Sequence, residues 1–242
     1  MSQRSLKLVL SAAILFLEAC AGFRETTRKT HDPRFLGPTE RLIVNRGGAT
    51  EPMDVVKNDN PGGDTFLRES AAPIDTDDKA LPQLVARMFA TVKAEKGVGI
   101  AAPQVGVSRQ VIVVQRLDRE PEKPFVVYLN PEINWSSEET AVEWEGCLSI
   151  PAGHGKVKRA AAVVVEYDTE DGGRDSERVS GFVARIFQHE IDHLDGVLFI
   201  DKMDPGPLMP KEEYREMRRR EKESREGAEK TIKDTMMELK AK

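Results

Sequence analysis

The chain has 242 residues, enough for one substantial hydrophobic core with tails. Its 36 basic and 41 acidic side chains give a formal charge of −5. That charge supplies no general basic field and excludes tight binding to nucleic acid, DNA included, through the surface as a whole. Two cysteines in unrelated contexts, Cys20 and Cys147, exclude a disulfide-stapled secreted scaffold.

In chain order, Arg4 and Lys7 precede the nearly apolar run from Leu8 to Leu17, which is too short for an ordinary membrane span. Residues 1–22 therefore read as a signal peptide. Within them Leu17-Glu18-Ala19-Cys20 resembles a bacterial lipoprotein signal, which would put a lipid on Cys20 and the protein on a membrane. A chain begun at Met53 would lack this segment. Residues 23–52 are polar with scattered Pro and Gly, and are expected to be a disordered linker.

From Asp77 a periodic pattern begins. Leu81, Leu84, Val85, Met88, Phe89 and Val92 share one helical face, with Asp77 or Asp78 placed to cap the start and Gly97 to end it. Strand-like runs follow at Val111–Gln115, Phe125–Leu129 and Ala161–Tyr167. Asp171-Gly172-Gly173 then turns the chain into Arg174–Val179. A second helix is expected over Gly181–Asp195, closed by Gly196, with Phe182, Ile186, His189 and His193 on one stripe. Residues 206–242 are highly charged, with signs mixed as in a solvated helix. The whole reads as an α+β fold, mainly antiparallel, around a central helix, with a charged C-terminal helix.

The chemistry concentrates on that central helix. In His189-Glu190-Ile191-Asp192-His193, two of the four histidines of the chain lie four apart, which presents both rings to one divalent ion with Glu190 beside them. A catalytic site of this kind needs a third protein ligand, and no histidine follows His193. Cys147, in Glu145-Gly146-Cys147-Leu148-Ser149, is the leading candidate because a thiolate binds zinc or ferrous iron strongly; a downstream carboxylate remains open on spacing alone. In Gly97-Val98-Gly99-Ile100-Ala101-Ala102-Pro103-Gln104 the glycines permit close backbone approach, and the Gln104 amide can face a developing oxyanion.

Taken together and in this order, Gly-Val-Gly-Ile-Ala-Ala-Pro-Gln, Glu-Gly-Cys-Leu-Ser and Gln-His-Glu-Ile-Asp-His closely resemble the three signature motifs of the peptide deformylase family. The likeness spans roughly Met53 to Asp204, so a domain over 53–205 is expected. The resemblance implies metal ligation by Cys147, His189 and His193. The ion would be Fe2+ in the native enzyme, with Zn2+ or Ni2+ able to replace it. It also implies Glu190 as acid/base, and Gln104 with the Leu148 backbone N–H as oxyanion donors. The implied reaction removes the N-terminal formyl group of N-formylmethionyl polypeptides as formate, with the ribosome as a partner and the cytoplasm as the place. Gly99, Phe182 and Ile186 are expected to wall a methionine pocket. Backbone around Val98 and Gly99 would pair with an extended peptide, and His154 would stand at the cleft rim. Two alternatives stay open at this point: another HExxH-type metallopeptidase, for which Cys147 is not needed, and a lipid-anchored binding protein that keeps the fold without activity.

Overall fold

The computed structural model describes residues 32–240; the signal-like segment 1–22 lies outside the described residues. The elements in order are α1 (Pro38–Asn45), α2 (Gly63–Leu67), α3 (Leu81–Ala94), β1 (Gly99–Ala101), a 3-10 turn (Ala102–Val105) and β2 (Val111–Gln115). There follow β3 (Phe125–Ser136), β4 (Thr140–Cys147), β5 (Ile150–Ala160), β6 (Ala162–Asp168) and β7 (Arg174–Ser180). Helices α4 (Gly181–Leu194), α5 (Phe199–Lys202) and α6 (Lys211–Lys240) complete the chain. Five strands form one antiparallel sheet in the order β1-β2-β3-β6-β7, and β4 pairs with β5 as a separate antiparallel hairpin. The α+β class and the charged C-terminal helix expected from sequence are both present.

The large sheet is covered on both faces, which explains why β2 reads as an unbroken apolar run rather than an alternating one. Val111 and Val113 join a core with Leu84, Met88 and Val92 of α3. Ile112 and Val114 point the other way, into a core with Ala184, Phe187 and Ile191 of α4. A third cluster, Leu67, Ile150, Val157, Leu198 and Phe199, lies beneath the hairpin beside Cys147. The site-bearing helix is thus wedged between a sheet and a hairpin, and almost every residue from Val183 to Leu194 is buried.

Several expectations need correction. Residues 32–52 are no linker where they are described. Leu36 and Val44 enter the α3 core, and three buried charges of the domain are committed to this segment. Arg87 donates to the carbonyls of Ile43 (3.0 Å), Val44 (2.9 Å), Glu51 (3.0 Å) and Pro52 (3.2 Å). Arg109 pairs with Glu40 at 2.8 Å. Asp78 accepts from Leu36 N (2.6 Å) and Arg41 (3.0 Å). Asp78 also accepts from Ala80 N (2.8 Å), so it assists the start of α3 although Ala80 is the N-cap.

Strand β3 runs seven residues past Leu129, where the strand-like run is expected to end; the register shift between Leu129 and Glu132 absorbs Pro131. Both strands of the β4–β5 hairpin went unread because glycines and charges occupy them. At Gly155 a Cβ would sit 2.8 Å from Met203 Sδ, so the glycine lets the residues after α5 close over β5. Helix α4 keeps its expected bounds within a residue, with Gly196 (φ 71°) just beyond it.

Candidate metal centre

Cys147 is the last residue of β4, where the hairpin register slips after Gly146. His189 and His193 project from consecutive turns of α4. Their ligand atoms and Cys147 Sγ all lie within 4.8 Å of one another, with Sγ 3.2 Å from His193 Nε2. His189 Nδ1 lies 2.9 Å from Glu145 Oε2. A carboxylate only accepts, so Nδ1 is the nitrogen that donates to it and Nε2 is the one turned to the centre. Burial pushes the Cys147 thiol up, but His193 and His189 facing it outweigh that and hold it well below its ordinary value. His189 is pushed down by burial, yet its hydrogen bonds to Cys147 and Glu145 raise it well above the usual imidazole value.

Sequence reasoning missed the ring of charge around these three. Glu145 is buried between Arg159, whose Nε and Nη2 donate to it at 2.9 and 2.8 Å, and Arg185, whose Nη1 donates at 2.6 Å. Burial works against the charged form, but Arg159 and His189 override it and Glu145 stays ionised far below the carboxylate range. Arg159 also binds Asp192, whose other oxygen receives Lys202 Nζ at 2.5 Å. The available signals were local. Glu145 stands two residues before Cys147, Asp192 adjoins His193, and Arg185 precedes His189 by one helical turn.

Glu190 is 4% exposed, and its Oε2 has no hydrogen-bond partner among the described residues. Burial raises its pKa to about 7 against the pull of His189 and His193. Gly99 lies directly against it: a Cβ there would fall 2.4 Å from Glu190 Oε1 and 2.8 Å from Ile186 Cγ2. Gln104 is locked by Ala101 N–H donating to its Oε1 (2.8 Å), which aims Nε2 at Cys147 Sγ and Ser149 Oγ, both at 3.3 Å. Ser149 N–H also points to Cys147 Sγ (3.4 Å), so Leu148 sits in a turn wrapped around the thiol. The structure therefore brings Cys147, His189, His193, Glu190, Gln104, Leu148, Gly99 and Ile186 to one place.

Strand β1 is an edge strand. Val98 O accepts from Gln115 N (2.8 Å) and is committed to β2, so the antiparallel alternation leaves the Gly99 N–H and C=O on the outer edge. Two expected residues behave differently. Phe182 shares the helical stripe but is 54% exposed, because it lies in the first turn of α4 and burial begins only at Val183. His154 stands opposite Gly146, half-buried, with its ring stacked on Tyr214 of α6 at 3.8 Å.

Residues 53–207 match the polypeptide deformylase family. The chain belongs to that family. The peptide deformylase of Roseiflexus castenholzii is 41% identical over 162 residues, covering 62% of this chain and 87% of that protein. That of Synechocystis is 40% identical over 146 residues, covering 60% and 78%. A class I type b peptide deformylase from Acinetobacter baumannii, solved with Met-Ala-Ser bound, is similar with 40% identity and a TM-score of 0.58, over 64% of this chain and 99% of that one. The Thermotoga maritima peptide deformylase gives 38% and 0.57, over 63% and 99%. The deformylase match starts at Met53, so α1 and its buried ionic contacts stand outside it, as does α6.

Proposed function

We propose that Cys147, His189 and His193 hold a divalent ion, Fe2+ in the native protein, and that this centre removes the formyl group from N-formylmethionyl polypeptides. The family is metal-dependent, and the donor set fits: one thiolate and two neutral imidazoles suit ferrous iron, zinc or nickel. The observation that carries the reading is the convergence of those three donors with a buried, unpartnered Glu190 carboxylate oxygen. When bound, the ion supplies Lewis acidity toward the attacking water and the carbonyl oxygen.

The chain's own residues do the rest. Glu190, with its pKa near 7, accepts a proton from the attacking water and returns it to the departing amine, so that formate and a free N-terminus result. Gln104 Nε2, fixed by the Ala101–Oε1 bond, and the Leu148 N–H donate to the oxygen that gains charge. The outer edge of Gly99 pairs with the extended peptide beside the side chain of Val98, and Ile186 with Gly99 walls the methionine side chain. His154 contributes to the substrate end through its stack on Tyr214, and Phe182 contributes from the exposed first turn of α4.

Nascent chains at the ribosome, in the cytoplasm, are the proposed substrate source. No helix among the described residues is long and apolar enough to cross a membrane. Lipid on Cys20, found by intact-mass analysis of the native protein, would overturn the cytoplasmic reading. The activity is tested by formate release from a formyl-Met peptide by the purified full-length protein, with Glu190→Ala as control. Release well above the control is expected. Equal rates would favour a binding protein, and full activity with Cys147→Ser would favour another metallopeptidase.

A further inference from the structure

The thiol and the imidazoles come from different bodies: Cys147 ends a strand of the hairpin, while His189 and His193 ride on α4. Their separation therefore depends on how the helix is fastened to the hairpin. Several side chains span that junction: Arg159 of β5 reaches Asp192, Gln188 of α4 bonds the Ala160 backbone, and Arg185 ties to both strands. Arg185, on α4 one turn before His189, is 5% exposed and reaches three acceptors on the hairpin. Its Nη1 donates to Glu145 Oε1 (2.6 Å) and to Val157 O of β5 (3.0 Å), and its Nη2 donates to Ala141 O of β4 (2.8 Å). Glu145 in turn fixes the His189 ring through Nδ1 (2.9 Å).

Packing alone does not call for this residue. A buried guanidinium is costly to desolvate, and a well-packed apolar side chain of similar volume serves stability as well or better. Nor does charge neutrality demand it, since Arg159 already gives Glu145 a bidentate partner. What Arg185 adds is a rigid planar fork whose three contacts tie both strands of the hairpin and the His189-orienting carboxylate to one point on the ligand helix.

We propose that Arg185 is a positioning residue of the metal centre. It sets the distance of Cys147 from the histidine pair and steadies Glu145, so that His189 presents Nε2. The proposal rests on the assignment of Cys147, His189 and His193 as ligands. Because Arg159 still holds Glu145, loss of Arg185 loosens the site without abolishing it.

The test uses full-length protein loaded with cobalt(II), read by the thiolate-to-cobalt charge-transfer band, by competition with a chelator, and by the urea midpoint of the cobalt-free protein. In Arg185→Met the cobalt dissociation constant is expected to rise about 10- to 100-fold, the range seen when outer partners of metal ligands are removed. The band should weaken or shift. Arg185→Lys restores one cation beside Glu145 but cannot reach both carbonyls, so an intermediate constant is expected. Wild-type affinity and an unaltered band in folded Arg185→Met would overturn the proposal. Failure of both variants to fold in the presence of cobalt would also overturn it, by assigning Arg185 to stability. A wild-type protein with no thiolate band would instead defeat the ligand assignment and the positioning role with it.

Discussion

Gly99→Ala puts the arrangement of the acid/base residue under direct test. The new Cβ would lie 2.4 Å from Glu190 Oε1 and 2.8 Å from Ile186 Cγ2, whereas ordinary contact begins near 3.4 Å. The carboxylate must therefore retreat by about 1 Å, and Ile186, stiff at its branched Cβ, has little room to absorb the rest. A misplacement of this size costs about 100-fold in rate when the group takes part in proton transfer. The overpacking costs about 1–3 kcal/mol of stability. Formate release from a formyl-Met peptide should show kcat falling about 100-fold with the metal content of the protein unchanged. Adding Ile186→Ala should recover part of the stability but not the rate, because the clash with Oε1 persists. A folded, metal-loaded Gly99→Ala with kcat within about threefold of wild type would refute the placement of Glu190 as the proton carrier.

Removing the Glu145 carboxylate (Glu145→Ala) leaves Arg159, Arg185 and His189 facing one another in a buried site. Chemical denaturation should show a loss of about 3–5 kcal/mol, the cost of breaking a buried ionic network. A chain begun at Met53 strips Arg87, Arg109 and Asp78 of partners they have in residues 36–52. Its urea midpoint should fall by the equivalent of about 3 kcal/mol or more; an unchanged midpoint would show that α1 is dispensable. The Tyr128 hydroxyl, which donates to Glu177 (2.9 Å) and accepts from Arg116 (2.7 Å), is held well above the ordinary tyrosine value. Burial is the main cause and Glu177 adds to it, with Arg116 opposing. Since the folded value is the raised one, its contribution to stability is complete below pH about 10 and is lost as pH climbs beyond that. Near-ultraviolet tyrosinate absorbance should show a Tyr128 component that ionises only at more alkaline pH or on unfolding.

What could be read from the sequence was whatever carries its own period or a fixed local spacing. Helices α3 and α4 announced themselves by apolar recurrence, β2 by its apolar run, and the β6–β7 turn by Asp171-Gly172-Gly173. The catalytic candidates were legible because His189, Glu190 and His193 share one helix, and because Cys147 and Gln104 each stand in a compact motif. Interactions between distant segments were not legible. Glu145 meets Arg185 across 40 residues and Arg87 meets Val44 across 43, and nothing local names the partner that a buried charge will meet. Glycines at 153 and 155 disguised β5 as a loop, although there they admit the residues that follow α5. His154 was placed by the family resemblance and Phe182 by its position on the helical stripe, and the partner that His154 stacks on, Tyr214, lies 60 residues away on α6.

X-ray absorption at the zinc edge of the zinc-loaded full-length protein tests the central claim most directly. One sulfur at about 2.3 Å and two imidazole nitrogens at about 2.0–2.1 Å are expected from Cys147, His189 and His193. A first shell without sulfur, or one unchanged in Cys147→Ser, would contradict it.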